Sequence, residues 1–247
     1  MIFISAAGQG SRIRPYLQEI GIEDRPKHLL PTGQLTVAGN EETLLSRSVC
    51  AAIDSGSAVT VLANQENADA IAKNLSGLEY RLVSDAGSST LGIFDFIVRG
   101  EGETELFSNA GDSFLSPSPW REFMDFHTLG SRPVSLLVQQ GLSKELGAAF
   151  EVEDSCVTNF YRTDCQGVPV LRNVGLYGVS LTDEVATIVD SFADMPFEGT
   201  KHDEICTEFI NAGLAQAMMY DGTFFNINSL TDYRELLDHT SSMPVRA

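Results

Sequence analysis

The chain has 247 residues, a formal net charge of -18 and a hydrophobic content of 43%. This length and apolar content suit one large domain with a continuous core, so we expect a single domain over residues 1–247. A protein held by nucleic-acid phosphates needs a broad basic face, and a chain with 34 acidic and 16 basic residues is a poor match for that partner.

The cysteines and the hydropathy of the chain bear on its compartment. Cys50, Cys156, Cys165 and Cys206 form no C-x-x-C pair and have no histidine at zinc-like spacing, so we expect reduced thiols. The sequence contains no run of about eighteen apolar residues, and no basic segment precedes its first apolar stretch. We therefore expect a cytoplasmic protein without a membrane span.

The first thirty residues combine an apolar strand, a glycine turn and a group of cations. The apolar run from Ile2 to Ile4 predicts a buried strand. It leads to Gly8 and Gly10, where the backbone can approach a ligand with no Cβ in the way. The cations that follow are Arg12, Arg14, Arg25 and Lys27. This arrangement predicts a loop that binds an anion.

Two common glycine loops do not fit the spacing. A dinucleotide-binding fingerprint needs a third glycine where this chain has Ile13. A phosphate-cradling P-loop needs Gly-Lys-Ser/Thr after four intervening residues, which is also missing.

Apolar periodicity predicts alternating helices and strands after this segment. We expect a loop or short hairpin after Pro31, helices over 41–55 and 66–75, and strands over 58–63 and 79–84. Strands that alternate with helices of this length pair in parallel through right-handed crossovers. The pattern therefore predicts an α/β fold with an open, mostly parallel, Rossmann-like sheet, helices on both faces, and ligands at the carboxyl ends of the strands.

The second half of the chain continues the same alternation. We predict helices over 91–98, 119–129, 183–190 and 202–217, and a last helix that begins near Leu230. We predict strands over 105–110, 133–139 and 172–178, antiparallel strands within 148–164, and an edge strand over 218–220.

The opening segment reads G-x-G-S-R-x-x-P and then R-P-K-H-L-L-P. It resembles the signature of the NDP-sugar pyrophosphorylases, the nucleotidyltransferases that join a nucleoside triphosphate to a sugar 1-phosphate. That family usually has G-x-G-T-R-L-x-P-L-T followed by P-K-x-L-x-P. The positions that match are Arg12, Pro15, Pro26, Lys27, Leu29 and Pro31, and those that differ are Ser11, Ile13 and Tyr16.

The resemblance implies a nucleotide site around the glycine turn. The residues it implies for the triphosphate are Ala6, Ala7, Gly8, Gly10, Ser11 and Arg12, with Lys27 reaching the phosphates. A later loop resembles the family segment that contacts the base, and its candidate contacts are Gly87, Ser88, Ser89 and Thr90. The hydroxyls of that loop fit the capping of a following helix equally well, so the sequence does not identify the nucleobase.

The resemblance also implies a magnesium site. Asp112 follows Gly111 at the end of the strand over 105–110, where the family has its metal-binding aspartate; the alternative is an ordinary turn residue. The segment from Phe224 resembles the closing Asp-Ile-Asp-Thr-Pro-Glu-Asp-Leu of the family, with Asn226 and Asn228 at the acidic positions. Asn228 offers Mg²⁺ a carbonyl oxygen. The alternative is that Asn228 caps the last helix.

Contacts to the sugar phosphate are implied with less support from the residues. The segment from Arg172 to Gly178 resembles the family's Asn-Ala-Gly-Ile-Tyr strand, which implies that Asn173 bonds the sugar and Gly175 leaves it room. The family's lysine for the sugar phosphate is absent, and Arg162 is the candidate substitute. The antiparallel strands over 148–164 would form a small sugar-side lobe.

The implied activity is attack of a sugar 1-phosphate oxygen on the α-phosphorus of a nucleoside triphosphate, with Mg²⁺ as cofactor and Arg12, Lys27 and Asp112 as catalytic residues. One alternative keeps the fold and transfers a cytidylyl or guanylyl group to a non-sugar phosphate such as phosphocholine. Another is a nucleotide-binding regulatory domain without catalysis. A homo-oligomer is compatible with all three.

Overall fold

The structure is a computed structural model of the chain. It describes residues 1–7, 13, 17, 22, 25–36, 39–84, 103–141, 149–161, 171–192 and 201–243. These residues fall into two compact units. Unit 1 takes those within Met1–Phe3, Thr90–Asn109 and Pro119–Gly222, and unit 2 takes those within Ile4–Ser89, Ala110–Ser118 and Thr223–Ala247.

The described strands are β1 Ile2–Ala6, β2 Pro31–Leu35, β3 Glu41–Thr43, β4 Val59–Ala63, β5 Arg81–Val83, β6 Glu105–Ala110, β7 Ser113–Ser116, β8 Val134–Gln140, β9 Ala149–Glu153, β10 Cys156–Tyr161, β11 Leu171–Ser180, β12 Ala215–Met219 and β13 Thr223–Asn226. The described α-helices are α1 Leu44–Asp54, α2 Ala68–Asn74, α3 Trp120–Leu129, α4 Asp183–Ser191, α5 Lys201–Asn211 and α6 Leu230–Ser241. A 3₁₀ turn spans Lys27–Leu29.

Unit 1 is built on a mixed sheet with the strand order β6-β11-β8-β12-β10-β9. Only the β8–β12 pair is parallel among the pairings described in this unit. Strand β11 also pairs with β9, so β11, β8, β12, β10 and β9 form a closed ring of hydrogen-bonded neighbours. The prediction of an open, mostly parallel sheet is therefore wrong for this unit, although the α/β class is confirmed.

Local turn chemistry explains part of this difference. Asp154 and Ser155 join β9 to β10 with φ values of 48° and 64°, the left-handed backbone of a tight hairpin, so these two strands are antiparallel. The antiparallel strands predicted over 148–164 are thus confirmed. They do not form a separate lobe, because β10 pairs with β12 and β9 pairs with β11 in the same sheet.

The helix predicted over 202–217 is wrong in its last third. Helix α5 ends at Asn211, and Gly213 takes a left-handed φ of 70°. The amides of Gly213 and Leu214 then bond back to the carbonyls of Ile210 and Phe209, which closes the helix. The alanine-rich segment that follows becomes β12, between β8 and β10, and is not the predicted edge strand.

The core of unit 1 is formed by large apolar side chains around α3. Trp120, Phe123 and His127 are the buried residues of this helix, and their spacing puts them on one face. The His127 ring lies edge-on to Phe107, with ring centroids 5.2 Å apart. Its two nitrogens bond the hydroxyls of Ser135 and Ser180 at 2.8 and 2.9 Å, so this histidine is a hydrogen-bonded core residue.

Unit 2 contains β4 between β5 and the end of β1, together with two small antiparallel ribbons. Strands β4 and β5 are parallel, as predicted. The ribbon of β2 and β3 confirms the hairpin expected after Pro31, and β3 takes the first three residues of the helix predicted over 41–55. Helix α1 begins after Thr43, whose hydroxyl accepts from the Ser46 amide in a capping box.

One apolar cluster holds the second ribbon of unit 2, β7 and β13, against helix α6. Its buried members are Ile13, Leu17, Leu30, Leu44, Phe114, Ile227, Tyr233 and Leu236. In α6 the buried residues are Tyr233, Leu236 and Thr240, a helical spacing that turns one face inward. The Tyr233 hydroxyl also donates to the Pro31 carbonyl oxygen at 2.9 Å. This cluster carries the segments that bear the site residues described below.

A buried ion pair stands beside this cluster. The Arg47 guanidinium lies 3.2 Å from a carboxylate oxygen of Glu42 and stacks over the Phe114 ring, 4.2 Å from its centroid. Both charged side chains are almost fully buried. No helix in the described ranges is both long enough and apolar enough to cross a bilayer.

Candidate functional site

Asp112 and Asn228 are brought together by the ribbon of β7 and β13. The two strands are antiparallel, with Ser113 opposite Asn226. The residue before β7 therefore lies at the same end of the ribbon as the residues after β13. Asp112 directly precedes Ser113, and Asn228 follows Asn226 by two positions. A separation of more than a hundred residues in sequence is thus closed by strand pairing.

Lys27 reaches the same point from the short turn that precedes β2. The Leu29 amide bonds the Pro26 carbonyl at 2.9 Å, and the Leu30 amide bonds the Lys27 carbonyl at 3.2 Å. Leu30 is fully buried in the apolar cluster, so the turn is anchored directly behind Lys27. The backbone of Lys27 is therefore fixed, and its flexible four-carbon side chain extends from the turn toward Asp112 and Asn228.

The three side chains meet in one compact group. The Lys27 ammonium lies 2.8 Å from Asp112 Oδ2 and donates to Asn228 Oδ1 at 3.3 Å. The side chain of Lys27 is only 11% exposed and that of Asp112 is 29% exposed, so solvent screens their attraction less than at an open surface. The structure thus joins three residues that the sequence had placed in one site, and we call them the Lys27 cluster.

Gly111 sets the position of Asp112. Its amide donates to the Ser5 carbonyl of β1 at 2.8 Å. A Cβ added to Gly111 would lie 2.9 Å from that same carbonyl oxygen and 3.0 Å from Leu45 Cδ1. A side chain at this position is therefore excluded by backbone contact, and the turn can bring Asp112 against the end of β1 only because it contains glycine.

Asp232 orients Asn228. The carboxylate of Asp232 accepts from the backbone amides of Asn228 and Ser229 at 2.8 and 2.7 Å. Ser229 is the N-cap of α6, since its hydroxyl accepts from the Asp232 amide. The alternative that Asn228 caps this helix is therefore wrong. Asn228 holds its side chain toward Lys27, while Asn226 belongs to β13 opposite Ser113.

His28 is buried directly behind the Lys27 cluster. It is 2% exposed, and its Nε2 has no hydrogen-bond partner in the part of the chain that the structure describes. Burial lowers the pKa of His28 to about 4, with Asp112 opposing this shift and Lys27 adding to it. The imidazole is consequently neutral at physiological pH and adds no charge to the group.

The end of β1 is held in place from a neighbouring strand. Ala6 and Ala7 are almost fully buried, so their side chains are not accessible to a ligand. The Asn64 side-chain amide, which follows β4, donates to the Ala7 carbonyl at 2.9 Å, and Asn64 Oδ1 accepts from the Asn67 amide. Asn64 therefore fixes the backbone at which the predicted glycine loop begins.

The oxygens of this site suit a hard divalent cation. Asp112 offers a carboxylate and Asn228 an amide oxygen, and both lie within bonding distance of a single cationic atom. Mg²⁺ takes one or two protein oxygens and keeps waters or phosphate oxygens for the rest of its shell. No group of three or more His, Cys, Asp or Glu side chains suited to a metal occurs among the described residues. The described part of the chain thus offers no site built from three such side chains, and a partial site completed by a ligand fits.

Several predicted site residues lie outside the described residues. They are Gly8, Gly10, Ser11, Arg12, Gly87, Ser88, Ser89, Thr90 and Arg162. Their roles stay predictions. Arg25, another cation of the opening segment, pairs at 2.9 Å with Glu41 on the surface and is about half exposed.

Asn173 and Gly175 lie in β11 of unit 1. Gly175 has a left-handed φ of 88°, at an irregularity in the β11–β8 register between Asn173 and Tyr177. Asn173 Oδ1 accepts from the Gly175 amide at 2.8 Å, and its Nδ2 donates to the Tyr177 hydroxyl. The glycine is therefore needed by the backbone of the strand itself, and the predicted sugar contacts stay predictions.

Sequence reasoning missed the residues that position the site. Gly111 was seen only as part of a Gly-Asp pair, and Asn64 and His28 were given no role. Asp232 was detectable, because Ser229 and Asp232 form an S-x-x-D capping signature before an apolar helix. No local pattern reveals Asn64, whose partner lies on another strand.

Comparison with known proteins bears on the fold. No family model and no curated protein sequence matches the chain. Its fold matches a crystal structure from Bacillus anthracis with a TM-score of 0.76, over 100% of this chain and 97% of the other. That protein is assigned as a glucose-1-phosphate thymidylyltransferase and was solved in complex with sucrose; the two sequences are 14% identical. The chain therefore has the fold of a sugar-1-phosphate nucleotidyltransferase.

Proposed function

We propose that the protein is a nucleotidyltransferase that joins a nucleoside triphosphate to a sugar 1-phosphate, with release of pyrophosphate. The observation that carries this proposal is the Lys27 cluster, which unites a lysine, an aspartate and an asparagine from three distant segments of unit 2. The fold shared with a protein assigned as a thymidylyltransferase supports it. The opening signature around Lys27 supports it independently.

The proposed reaction needs positioning and charge stabilisation more than proton transfer. An oxygen of the sugar 1-phosphate attacks the α-phosphorus and forms a new P–O bond. The bond from that phosphorus to the bridging oxygen breaks, and pyrophosphate leaves with the electron pair. The nucleophile is already an anion, so no general base is required. The protein must hold two polyanions together and stabilise the charge that grows on the departing group.

The chain offers residues for each of these tasks. Lys27 supplies a mobile cation for phosphate oxygens, and Arg12 with the amides of the glycine loop is proposed to hold the rest of the triphosphate. Asp112 and Asn228 are the proposed ligands of Mg²⁺, which when bound supplies positive charge to phosphoryl oxygens. Gly111 and Asp232 keep those two ligands in place.

The proposal is tested with a panel of substrates. The purified chain is incubated with each of five nucleoside triphosphates and a set of sugar 1-phosphates, with Mg²⁺, and pyrophosphate release is measured. Phosphocholine and other small phosphates serve as alternative acceptors. We expect Mg²⁺-dependent release from at least one pair of triphosphate and sugar 1-phosphate, with the nucleotide-linked sugar formed in equal amount.

Other results identify the alternatives. Release with a non-sugar phosphate alone would assign a cytidylyl- or guanylyltransferase of the same fold. Binding of a triphosphate with no release from any pair would favour a regulatory nucleotide-binding domain. The one carboxylate of the Lys27 cluster, already paired with Lys27, is the feature that makes this last alternative worth testing.

A further inference from the structure

We propose that the ammonium of Lys27 is an internal competitor of the divalent cation at Asp112 and Asn228, so that metal binds together with the triphosphate and not ahead of it. This inference rests on the proposed function, because it assigns the order in which the ligands of that site bind.

The geometry supports direct competition. The Lys27 ammonium lies 2.8 Å from Asp112 Oδ2 and 3.3 Å from Asn228 Oδ1, so one cationic atom already contacts both oxygens. Magnesium binds its oxygen ligands at about 2.0–2.1 Å. A divalent ion on the same two oxygens would lie very close to the ammonium, and the like charges would repel. The two cations therefore exclude each other while Lys27 keeps its present position.

Burial makes the competition effective. The Lys27 side chain is 11% exposed, so little water surrounds its ion pair with Asp112. The pair of Lys27 and Asp112 is neutral as a whole, and Asn228 adds no charge. A metal ion approaching without a nucleotide thus finds the charge of the Asp112 carboxylate already balanced by the Lys27 ammonium.

A triphosphate offers the ammonium another partner. Lysine is a compact charge on a flexible four-carbon stem, and the backbone of Lys27 is held by the anchored turn. The side chain can therefore exchange Asp112 for a phosphate oxygen without movement of the turn. Once it leaves, the Asp112 carboxylate no longer has a cationic partner, and its oxygens are open to a metal ion. By thermodynamic linkage, a nucleotide that favours metal binding is itself bound more tightly when metal is present.

The test measures metal binding in the absence of nucleotide. Mn²⁺ is titrated into the full chain, and free Mn²⁺ is followed by its electron paramagnetic resonance signal. We expect weak binding to the wild-type protein. In Lys27→Met the competitor is removed, and we expect Mn²⁺ affinity to rise about tenfold. Lys27→Gln provides a second variant with the same loss of charge, should the methionine variant be unstable.

Two controls separate competition from general charge effects. Arg25→Met removes one positive charge two positions away, but Arg25 pairs with Glu41 at the surface, so we expect no more than a small gain in affinity. The double variant Lys27→Met with Asp112→Asn keeps the competitor absent and removes the carboxylate, so we expect the gain to disappear. Equal Mn²⁺ affinity in wild type and both Lys27 variants would overturn the inference, as would an equal gain in Arg25→Met.

The competition at Asp112 and the proposed transferase activity can fail independently of each other. A tenfold gain in Mn²⁺ affinity with no pyrophosphate release from any substrate pair would keep the competition and reject the transferase. Magnesium-dependent pyrophosphate release with no gain in the Lys27 variants would keep the transferase and reject the competition.

Discussion

At the scale of single residues, the site depends on the absence of a side chain at Gly111. Gly111 has no Cβ, and this lets the turn after β6 press against the Ser5 carbonyl and hold Asp112 in place. Asp112 could be proposed as a site residue from its place after a glycine. The reason for the glycine could not be predicted, because the contact is made with a strand more than a hundred residues earlier in the chain.

The substitution Gly111→Ala tests this dependence. The added Cβ would lie 2.9 Å from a backbone oxygen that has little freedom to move, so we expect a loss of about 1–3 kcal/mol in unfolding free energy. We also expect weaker Mn²⁺ binding, because Asp112 must shift. Thermal unfolding and the Mn²⁺ titration measure the two effects.

Gly39→Ala is the control for backbone strain. Gly39 has a left-handed φ of 78°, but an added Cβ would meet nothing within 4 Å. We expect it to lose about 1 kcal/mol of stability and to bind Mn²⁺ as the wild type does. If both glycine variants bind Mn²⁺ normally, the contact at Gly111 does not position Asp112.

His127 gives a pH prediction in unit 1. Burial lowers the pKa of His127 below its ordinary value of 6.5, with Glu105 opposing the shift. As pH falls below 6.5 the unfolded chain binds a proton that the folded chain resists. The stability due to neutral His127 is therefore present above pH 6.5 and is lost as pH falls through the lower folded pKa.

We expect the wild type to lose more unfolding free energy than His127→Gln when pH is lowered from about 7.5 to about 5. Urea unfolding at several pH values measures the difference. The other titrating groups are the same in both proteins. Equal losses of unfolding free energy in the wild type and His127→Gln would therefore contradict the lowered pKa of His127.

At the scale of elements, helix α6 and the ribbon of β7 and β13 position Asn228. The Asp232 carboxylate bonds the amides of Asn228 and Ser229, which joins helix capping to the orientation of a site residue. A second capping box, of Thr43 and Ser46 at α1, has the same form but holds no residue of the Lys27 cluster. The chain therefore contains a matched pair of caps.

The variants Asp232→Ala and Ser46→Ala use this pair. Each removes the side chain at the third helical position, and we expect each to lose about 1 kcal/mol of unfolding free energy. Only Asp232→Ala should also weaken Mn²⁺ binding, since it releases Asn228. Chemical denaturation and the Mn²⁺ titration are compared for both. Equal Mn²⁺ affinity in the two variants would separate the cap from the site.

Element boundaries show which parts of the fold the sequence can predict. The strand over 105–110 and the helix over 119–129 match β6 and α3, because apolar spacing and burial agree there. The segment after Gly213 was predicted as helix from its alanines, yet pairing with β8 and β10 makes it a strand. Pairing partners lie far apart in sequence, so local pattern also missed the ring closed by β9 and β11.

The sequence predicted that the three residues of the Lys27 cluster belong to one site, because each lies in a recognisable local motif. These motifs are the opening signature at Lys27, the Gly-Asp at Asp112 and the closing segment at Asn228. The prediction needed no knowledge of strand pairing, whereas the order of the sheet did. Their direct contact was not predictable. It depends on the register in which Ser113 faces Asn226.

At the scale of the whole molecule, the fold resembles that of the Bacillus anthracis protein much more closely than the sequence does. A match of TM-score 0.76 over the full chain accompanies only 14% identity, so the fold is shared while most individual residues differ. The residues of the site are therefore a better guide to function in this chain than overall identity. At Asn228 of the site, and at Asn226 in β13, this chain has asparagines where the family that it resembles has acidic residues.

The net charge of -18 gives a prediction for the molecule as a whole. Excess negative charge opposes the compact state through self-repulsion, and salt screens it. We expect the midpoint of thermal unfolding to rise by a few degrees between about 20 mM and 500 mM NaCl. Differential scanning calorimetry measures the midpoint. A midpoint that is constant or falls would mean that local ion pairs, such as that of Arg47 and Glu42, outweigh the net repulsion.

The most direct test of the central claim is the rate of pyrophosphate release in Asp112→Asn beside the wild type and Arg25→Met, with saturating Mg²⁺ and the best substrate pair of the panel. The substitution keeps the size of the side chain and removes the charge that pairs with Lys27. We predict a rate at least about 100-fold lower in Asp112→Asn and a rate near wild type in Arg25→Met. Wild-type turnover in Asp112→Asn would contradict the account.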